Sequence, residues 1–193
     1  MANKIQIKDF TINVISVNIE GKSPLLVHRF TDETLDEMEG KQQKKAKTSK
    51  HEIRNPEKEF EQVKHKSPLG FEGFPAVGFK AAMVRGAKSI GLVMTDMRTS
   101  MFVKADCNES QIVKIEGESR LRRDAGRLPN GSGSIIYRAE YPKWKATLNI
   151  EYNAGIISSE QVVQMVRAAG YGVGVGDWRP EKSGVYGRFD IVV

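Results

Sequence analysis

The chain has 193 residues, the size of one large domain or of a domain with an elaboration. Hydrophobic residues make up 39% and charged residues 28% of it, which excludes wholesale disorder. The formal net charge is +6, and residues 41–145 hold 22 basic and 12 acidic side chains. The positive charge is therefore segregated along the chain, and this segregation is the first indication of function.

Three classes of protein are excluded by simple counts. The single cysteine, Cys107, excludes an internal disulfide and a cysteine-rich zinc cluster. No run of about 18 apolar residues exists, which excludes a membrane-spanning helix. The start of the sequence, MANKIQIKDF, lacks the apolar core of a signal peptide. The sequence thus predicts a soluble protein of a reducing cytoplasm, with no membrane partner, cofactor or metal.

Hydrophobic periodicity predicts the elements of the first half of the chain. Residues 5–20 alternate as one long strand, with two changes of parity that indicate a bulge. Over about 31–68 an acidic stretch is followed by a lysine-rich one, with few apolar residues to reach a core. This segment is predicted to be a charged, mobile insertion that is partly helical and lies outside the main fold. A helix is predicted over 78–90.

The second half of the chain is predicted to contain mostly strands. A stretch at about 117–134 is predicted to be a basic loop because Gly, Ser, Pro and Asn are frequent in it. Ser158 and Gln161 have the spacing of a capping box at the start of a helix. The elements are strands at 100–105, 111–116, 135–138 and 144–152, a helix from Ser158 to Ala169, and a last strand at 189–193.

Without the two insertions, the order is strand, helix, strands, helix, strand. This order matches the βαββαβ motif of the ferredoxin-like fold, in which two helices pack on one face of an antiparallel sheet. The sequence therefore predicts an α+β fold with a ferredoxin-like core, in a single domain over residues 1–193. Extra strands between the two helices are predicted to form a side hairpin.

Six of the 18 glycines lie between residues 170 and 187, a stretch called the glycine-rich segment below. It follows a helix and precedes a strand, the opposite of the order in nucleotide-binding loops, so a small-nucleotide phosphate site is excluded. Two interpretations stay open: the glycines let a ligand approach the backbone, or they permit a tight crossover onto the sheet. The candidates for backbone approach are Gly172, Gly174, Gly176, Gly184 and Gly187.

Cations and aromatic rings accompany these glycines and the two basic segments. Lysine and arginine pair with phosphates, and aromatic rings stack on the bases of a single strand. The alternative is an ordinary solvated charged surface. The candidate nucleic-acid-binding residues are Lys44, Lys45, Lys47, Lys50, Arg120, Arg122, Arg123, Arg127, Arg138, Trp178, Arg179, Lys182, Tyr186 and Arg188.

The sequence favours binding without cleavage, and no catalytic residue is assigned. His28, His51 and His65 are the only histidines, and none is placed beside a nucleophile or a second metal ligand. No pair of carboxylates has the spacing of a two-metal nuclease site. Two alternatives remain: an RNA-processing endonuclease with a histidine as general acid or base, and a protein-docking or counter-defence module without nucleic-acid binding.

The glycine-rich segment and the strand after it resemble the glycine-rich loop of the RAMP superfamily, the ferredoxin-like RNA-binding subunits of CRISPR effector complexes. The likeness covers about the last 35 residues, and the stretch Asp-Trp-Arg-Pro at 177–180 departs from the small and basic residues usual there. It implies RNA rather than DNA as the ligand, an RNA-processing endonuclease as the catalytic alternative, and a homo-oligomer assembled along the RNA.

A second resemblance covers most of the chain. The segments SPLLVHRF (23–30), GFPAVGFKAAMVRGA (73–87) and AAGYGVGVGDWRPEKSGVYGRF (168–189) are similar to those of a group of tailed-phage proteins. This likeness implies a phage protein in the host cell cytoplasm, and it implies no particular activity.

Overall fold

The computed structural model describes residues 10–30, 32–43, 55–127, 131 and 133–192. Within them, all paired strands are antiparallel, in three sheets. The strands are β1 (Ile12–Gly21), β2 (Leu25–Val27), β3 (His65–Lys66), β4 (Glu72–Pro75), β5 (Met101–Lys104), β6 (Ile112–Lys114), β7 (Arg120–Arg127), β8 (Gly133–Tyr141), β9 (Lys145–Asn153) and β10 (Phe189–Ile191). The helices are α1 (Asp32–Gln42), α2 (Pro56–Gln62), α3 (Ala76–Ala87), α4 (Met94–Ser100) and α5 (Ser159–Ala168). The predicted α+β class with antiparallel sheets is confirmed.

The largest sheet has the strand order β10-β1-β9-β5. Its centre is the pairing of β1 with β9, which runs from Ile12 opposite Asn153 to Glu20 opposite Lys145. Alternate residues of β9, among them Leu148, are fully buried, as the alternation in its sequence predicts. Helices α3 and α5 contribute the other side of this core.

Two smaller sheets have the orders β2-β8-β7 and β3-β4-β6. The prediction of a loop over 117–134 is wrong for its first half, because residues 120–127 form strand β7 and pair along their whole length with β8. Leu121 faces one side of this hairpin while Arg122 and Asp124 face the other. The predicted side hairpin therefore exists, and the basic residues belong to it.

The charged insertion predicted at about 31–68 is not wholly separate from the main fold. Residues 44–54, with most of its lysines, lie outside the described residues. Helix α2 begins at an Asn55 cap, whose side chain accepts hydrogen bonds from the N–H groups of Glu57 and Lys58. After α2, Val63 belongs to the buried core, and Lys64 is buried as well.

Several predicted boundaries shift. The helix predicted from residue 78 begins at Ala76, and residues 94–100 form helix α4, which the sequence did not predict. The capping box of Ser158 and Gln161 is confirmed by reciprocal hydrogen bonds. The first part of the strand predicted at 5–20 lies outside the described residues. In the part of the chain described, no helix is both long enough and apolar enough to cross a bilayer.

A buried polar cluster joins the segment after α2 to the hairpin. The Glu72 carboxylate accepts hydrogen bonds from the Tyr141 hydroxyl at 2.7 Å and the Ser119 hydroxyl at 2.9 Å, and it lies 2.9 Å from the Lys64 ammonium. Burial works to raise the pKa of Glu72, but these three donors outweigh it and hold the pKa below the usual range. One carboxylate thus connects β3, β4 and β8.

We expect Glu72→Ala to lower the free energy of unfolding by about 1–3 kcal/mol, because it leaves the buried Tyr141 hydroxyl without its acceptor and the Lys64 ammonium with Glu61 as its remaining carboxylate partner. Chemical denaturation measures this loss. Glu118→Ala, the same change at an exposed position, is the control and should stay within about 0.5 kcal/mol of the parent.

The same carboxylate makes stability depend on pH. Because the folded pKa of Glu72 lies below the unfolded one, its contribution is present above about pH 4.3 and is lost as the pH falls through the folded pKa. The stability deficit of Glu72→Ala should therefore shrink in acid, and a constant deficit down to pH 2 would contradict this assignment.

Candidate nucleic-acid interface

The glycine-rich segment is held against the β7–β8 hairpin by a chain of ion pairs. The Arg138 guanidinium lies 2.9 Å from the Asp177 carboxylate through Nε and 2.9 Å from the Asp124 carboxylate through Nη1. The second oxygen of Asp124 lies 3.0 Å from Nε of Arg122. Arg138 is only 6% exposed, so these pairs are formed away from bulk water.

Two aromatic rings of the segment complete this contact. Nη1 of Arg122 donates a hydrogen bond to the Tyr186 hydroxyl at 3.1 Å, and its guanidinium lies 5.0 Å from the centre of that ring. The Arg138 guanidinium lies 4.7 Å from the centre of the Trp178 ring. Both geometries are cation–π contacts, which add to the ion pairs in fixing the segment.

Three of the predicted phosphate-binding arginines are paired with carboxylates of the protein itself, although Arg120 is still 65% exposed. Arg120 pairs through Nε with Glu140 at 2.8 Å, and Arg122 and Arg138 pair with the carboxylates described above. The three cations are balanced by Asp124, Glu140 and Asp177, so this face of the hairpin carries no excess positive charge. The prediction that these arginines lie on a flexible loop is wrong, because strand pairing fixes their backbone and the ion pairs hold their side chains.

The other predicted cations occupy different places. Arg123 is exposed on β7, Lys182 is exposed in a short 3-10 turn, and Arg188 lies with its guanidinium 5.3 Å from the centre of the Tyr171 ring. Arg127 ends strand β7. Four lysines lie outside the described residues: Lys44, Lys45, Lys47 and Lys50.

Four of the five candidate glycines are required by the protein's own packing. Gly174 and Gly176 have φ of +71° and +78°, and a Cβ on Gly176 would overlap the carbonyl oxygen of Leu26. A Cβ on Gly184 would overlap the backbone of Trp178, and one on Gly187, at φ +65°, would overlap the carbonyl oxygen of Val175. These contacts favour the tight-crossover interpretation for all four.

Gly172 differs from the other four. It is exposed, and an added Cβ would meet nothing within 4 Å. It lies in a π-helical turn, Ala169–Val173, that continues α5. The helical backbone therefore runs past Ala169, where the sequence predicted the helix to end. The left-handed residue that ends the turn is Gly174, whose N–H donates to the carbonyl of Ala169 at 2.8 Å.

A cleft of about 380 Å³ lies between the glycine-rich segment, helix α3 and strands β2 to β4. Its walls are apolar, from residues such as Leu26, Phe74 and Val77, with the backbone of Gly174–Gly176 on one side. The polar side chains that reach it are His28, His65, Arg85, Asp177 and Arg179. A concave apolar site with a few convergent polar groups is the usual form of a ligand-binding cleft.

The two arginines of the cleft are held together by one carboxylate. Glu181 lies 2.6 Å from Nε of Arg85 and 2.9 Å from Nη2 of Arg179. Nη1 of Arg179 also donates to the carbonyl oxygen of Gly176 at 3.1 Å. Two guanidinium groups facing one carboxylate leave a net positive charge at this rim, in contrast to the balanced hairpin face.

Both histidines of the cleft have a pKa below the usual range. Burial lowers the pKa of His28, with a smaller and opposite effect from Asp177, and burial together with Arg29 lowers the pKa of His65. The N–H of Arg29 donates to the carbonyl oxygen of Val63 at 3.0 Å, which brings these two distant parts of the chain side by side. A neutral imidazole can accept a proton or a hydrogen bond from a ligand.

The sequence alone did not place the histidines or Arg85 in a site. His65 is surrounded by lysines and glutamates in sequence, and only the tertiary contact between residues 29 and 63 moves it to the cleft. The sequence did contain a signal for the hairpin. The pair Asn130-Gly131, which is common in hairpin turns, lies between the residues of β7 and those of β8.

No family model matches the chain, and no curated protein matches it. Among solved structures, the crystal structure of Cmr6 from Pyrococcus furiosus is similar, with a TM-score of 0.44 and 13% identity. The alignment covers 95% of this chain and 100% of that chain. This similarity is too low to assign a role to any residue of the site.

We expect Gly187→Ala to lower the free energy of unfolding by about 2 kcal/mol or more, because the new methyl group meets a carbonyl oxygen at a left-handed φ. Gly172→Ala, the same substitution in open space, should change it by less than about 0.5 kcal/mol. Thermal unfolding of the two variants makes the comparison, and equal midpoints would refute the packing role of Gly187.

Proposed function

We propose that the protein binds single-stranded RNA, without cleaving it, at the cleft beside the glycine-rich segment. The observation that carries the proposal is the pairing of an apolar cleft with a net positive rim made by Arg85 and Arg179. A nucleotide unit has the matching chemistry, with a flat base for the apolar walls and a phosphate for the guanidinium groups.

Exposed aromatic rings on the same segment support a single strand rather than a duplex. Tyr171 is 76% exposed and Trp178 is 42% exposed, and each has a guanidinium against its ring. Unstacked bases stack on such rings with little sequence preference. Arg188 beside Tyr171 would pair with the backbone phosphate, whereas Arg138 beside Trp178 is buried and already paired with Asp124 and Asp177. The two rings extend the binding surface beyond the cleft along the glycine-rich segment.

Several parts of the proposal are supported by the sequence resemblances. RNA is preferred to DNA because the glycine-rich segment resembles the RAMP superfamily. A phage origin, the host cytoplasm and assembly as a homo-oligomer come from the same likenesses. Lys44, Lys45, Lys47 and Lys50 are proposed to add phosphate contacts, together with Arg123, Lys182 and Arg188.

We also infer that the largest sheet, with α3 and α5, is a ferredoxin-like core. The strands β1, β5, β9 and β10 occur along the chain with α3 after β1 and α5 after β9. Their spatial order, β10-β1-β9-β5, with only antiparallel neighbours, is the arrangement that two interleaved βαβ units produce. The β7–β8 hairpin and the segment 55–75 are then additions between its strands.

We expect Tyr171→Ala to weaken single-stranded RNA binding about tenfold or more, because one stacking platform is lost. Fluorescence anisotropy with a labelled single-stranded RNA measures the affinity. Phe10→Ala is the matched control, because Phe10 is also an exposed aromatic ring, 79% exposed. It precedes the start of β1, whereas Phe189, which follows the glycine-rich segment, pairs with the other end of that strand, roughly 30 Å away. The control should leave the affinity unchanged.

The rim arginines have a different signature. Arg85→Gln with Arg179→Gln should weaken binding and reduce the slope of log K against log salt concentration by about 0.7 to 1.4, as expected for one or two lost phosphate contacts on a single strand. If both this variant and Tyr171→Ala bind RNA like the parent, the cleft is not the RNA site. If duplex binds as tightly as single strand, the stacking argument fails.

A second candidate function is RNA cleavage, favoured by one observation. His28 and His65 line the same cleft as the rim arginines, and two imidazoles are groups that can serve as general base and general acid on a phosphodiester. The 2′-hydroxyl of RNA would supply the nucleophile, so no protein nucleophile or metal is needed. In this function, Arg85 and Arg179 would bind the phosphate whose charge develops in the transition state.

If the protein cleaves RNA, His28→Ala and His65→Ala should each lower the rate at least a hundredfold while affinity for RNA stays within a factor of a few. Because burial lowers both pKa values, the rate should be greatest below about pH 6.5, where one imidazole is protonated. Gel analysis of labelled RNA across pH 5–8 tests this. Intact RNA throughout would leave binding alone as the function.

A further inference from the structure

A shallow groove of about 270 Å³ lies on the outer surface of α3 and α4, next to the cleft. Its apolar lining includes Val77, Ala81, Val84 and Met94, and Val77 is 70% exposed. Three cations line it as well: Lys80, Arg85 and Arg98. A groove with an apolar floor and basic edges fits an acidic helix that presents apolar side chains on one face.

Helix α1 of this protein has that character. Its eleven residues, DETLDEMEGKQ, include five acidic residues and one lysine. Leu35 and Met38 are 47% and 43% exposed and are three residues apart, so they lie on the same helix face. No described side chain of α1 belongs to the buried core, and none lines the groove of its own chain.

We propose that α1 of a second copy of this chain docks in the groove between α3 and α4. Leu35 and Met38 would lie on the apolar floor beside Val77 and Met94. Of the acidic side chains of α1, Asp36 and Glu39 would face Lys80 and Arg98. Charge complementarity selects this occupant, since the groove is basic and α1 is the described helix richest in acidic residues.

The contact joins two different surfaces, so it is head-to-tail. After one contact forms, the pair of copies still has one free groove and one free α1, and unless the rotation closes a ring the assembly continues as an open chain. This deepens the homo-oligomer part of the proposed function, because copies in an open chain can line one RNA strand. It does not require RNA for the contact itself, so self-association is measured without RNA.

The test uses two variants that each remove one surface. Lys80→Glu with Arg98→Glu reverses the groove charge, and Leu35→Ser with Met38→Ser removes the apolar face of α1. We expect the parent protein to self-associate with increasing concentration in light scattering, and each variant alone to associate at least about tenfold more weakly. Lys114→Glu with Lys143→Glu, the same charge change at exposed lysines outside the groove, should behave like the parent.

Mixing the two variants gives the decisive result. One intact groove and one intact α1 remain between them, so the mixture should form a dimer and stop there. A parent that is monomeric at all concentrations overturns the proposal, as do variants that associate normally or a mixture that stays monomeric. Circular dichroism confirms that the variants are folded. Loss of RNA binding with normal self-association would instead refute only the proposed function.

Discussion

The position of the glycine-rich segment depends on one carboxylate, that of Asp124. The strand register places Arg122 directly opposite Arg138, and like charges in such a pair repel. Asp124 accepts from both guanidinium groups, one through each oxygen, and so allows the two arginines to share one face of the hairpin. Nε of Arg138 then pairs with Asp177, and this ion pair attaches the segment to the hairpin.

This attachment shows how the packing of the glycines shapes the cleft. The N–H of Asp177 donates to the carbonyl oxygen of Leu26 at 2.9 Å, and Gly176 lies against the same carbonyl. The segment is thereby placed tightly on β2, and its outer side becomes one wall of the cleft. A larger residue at Gly176 would move that wall away from β2, so the packing of this glycine also sets the width of the cleft.

Elements whose burial follows an apolar pattern were predictable from sequence. Strand β9 and helix α5 were placed to within about a residue, because apolar residues alternate in one and recur with helical spacing in the other. Strand β7 was missed because it lacks the alternation of apolar and polar residues that marks a half-buried strand. The charged face of its hairpin is covered by Asp177, Trp178 and Tyr186, which lie 50 or more residues further along the chain. The cleft was missed for the same reason: His28, His65 and Arg85 meet only through long-range contacts.

The charge of the sequence is therefore a poor guide to the field at the surface. Residues 41–145 have an excess of ten cations, but Arg138 is neutralised by Asp177, which lies outside that block. The arginines that line the cleft are Arg85 and Arg179, and both contact the Glu181 carboxylate. If RNA binds at the cleft as proposed, these two cations would release few counterions, and stacking and burial of bases would supply the larger share of the binding free energy there. At the cleft, the proposed binding therefore depends on shape and on exposed rings more than on net charge.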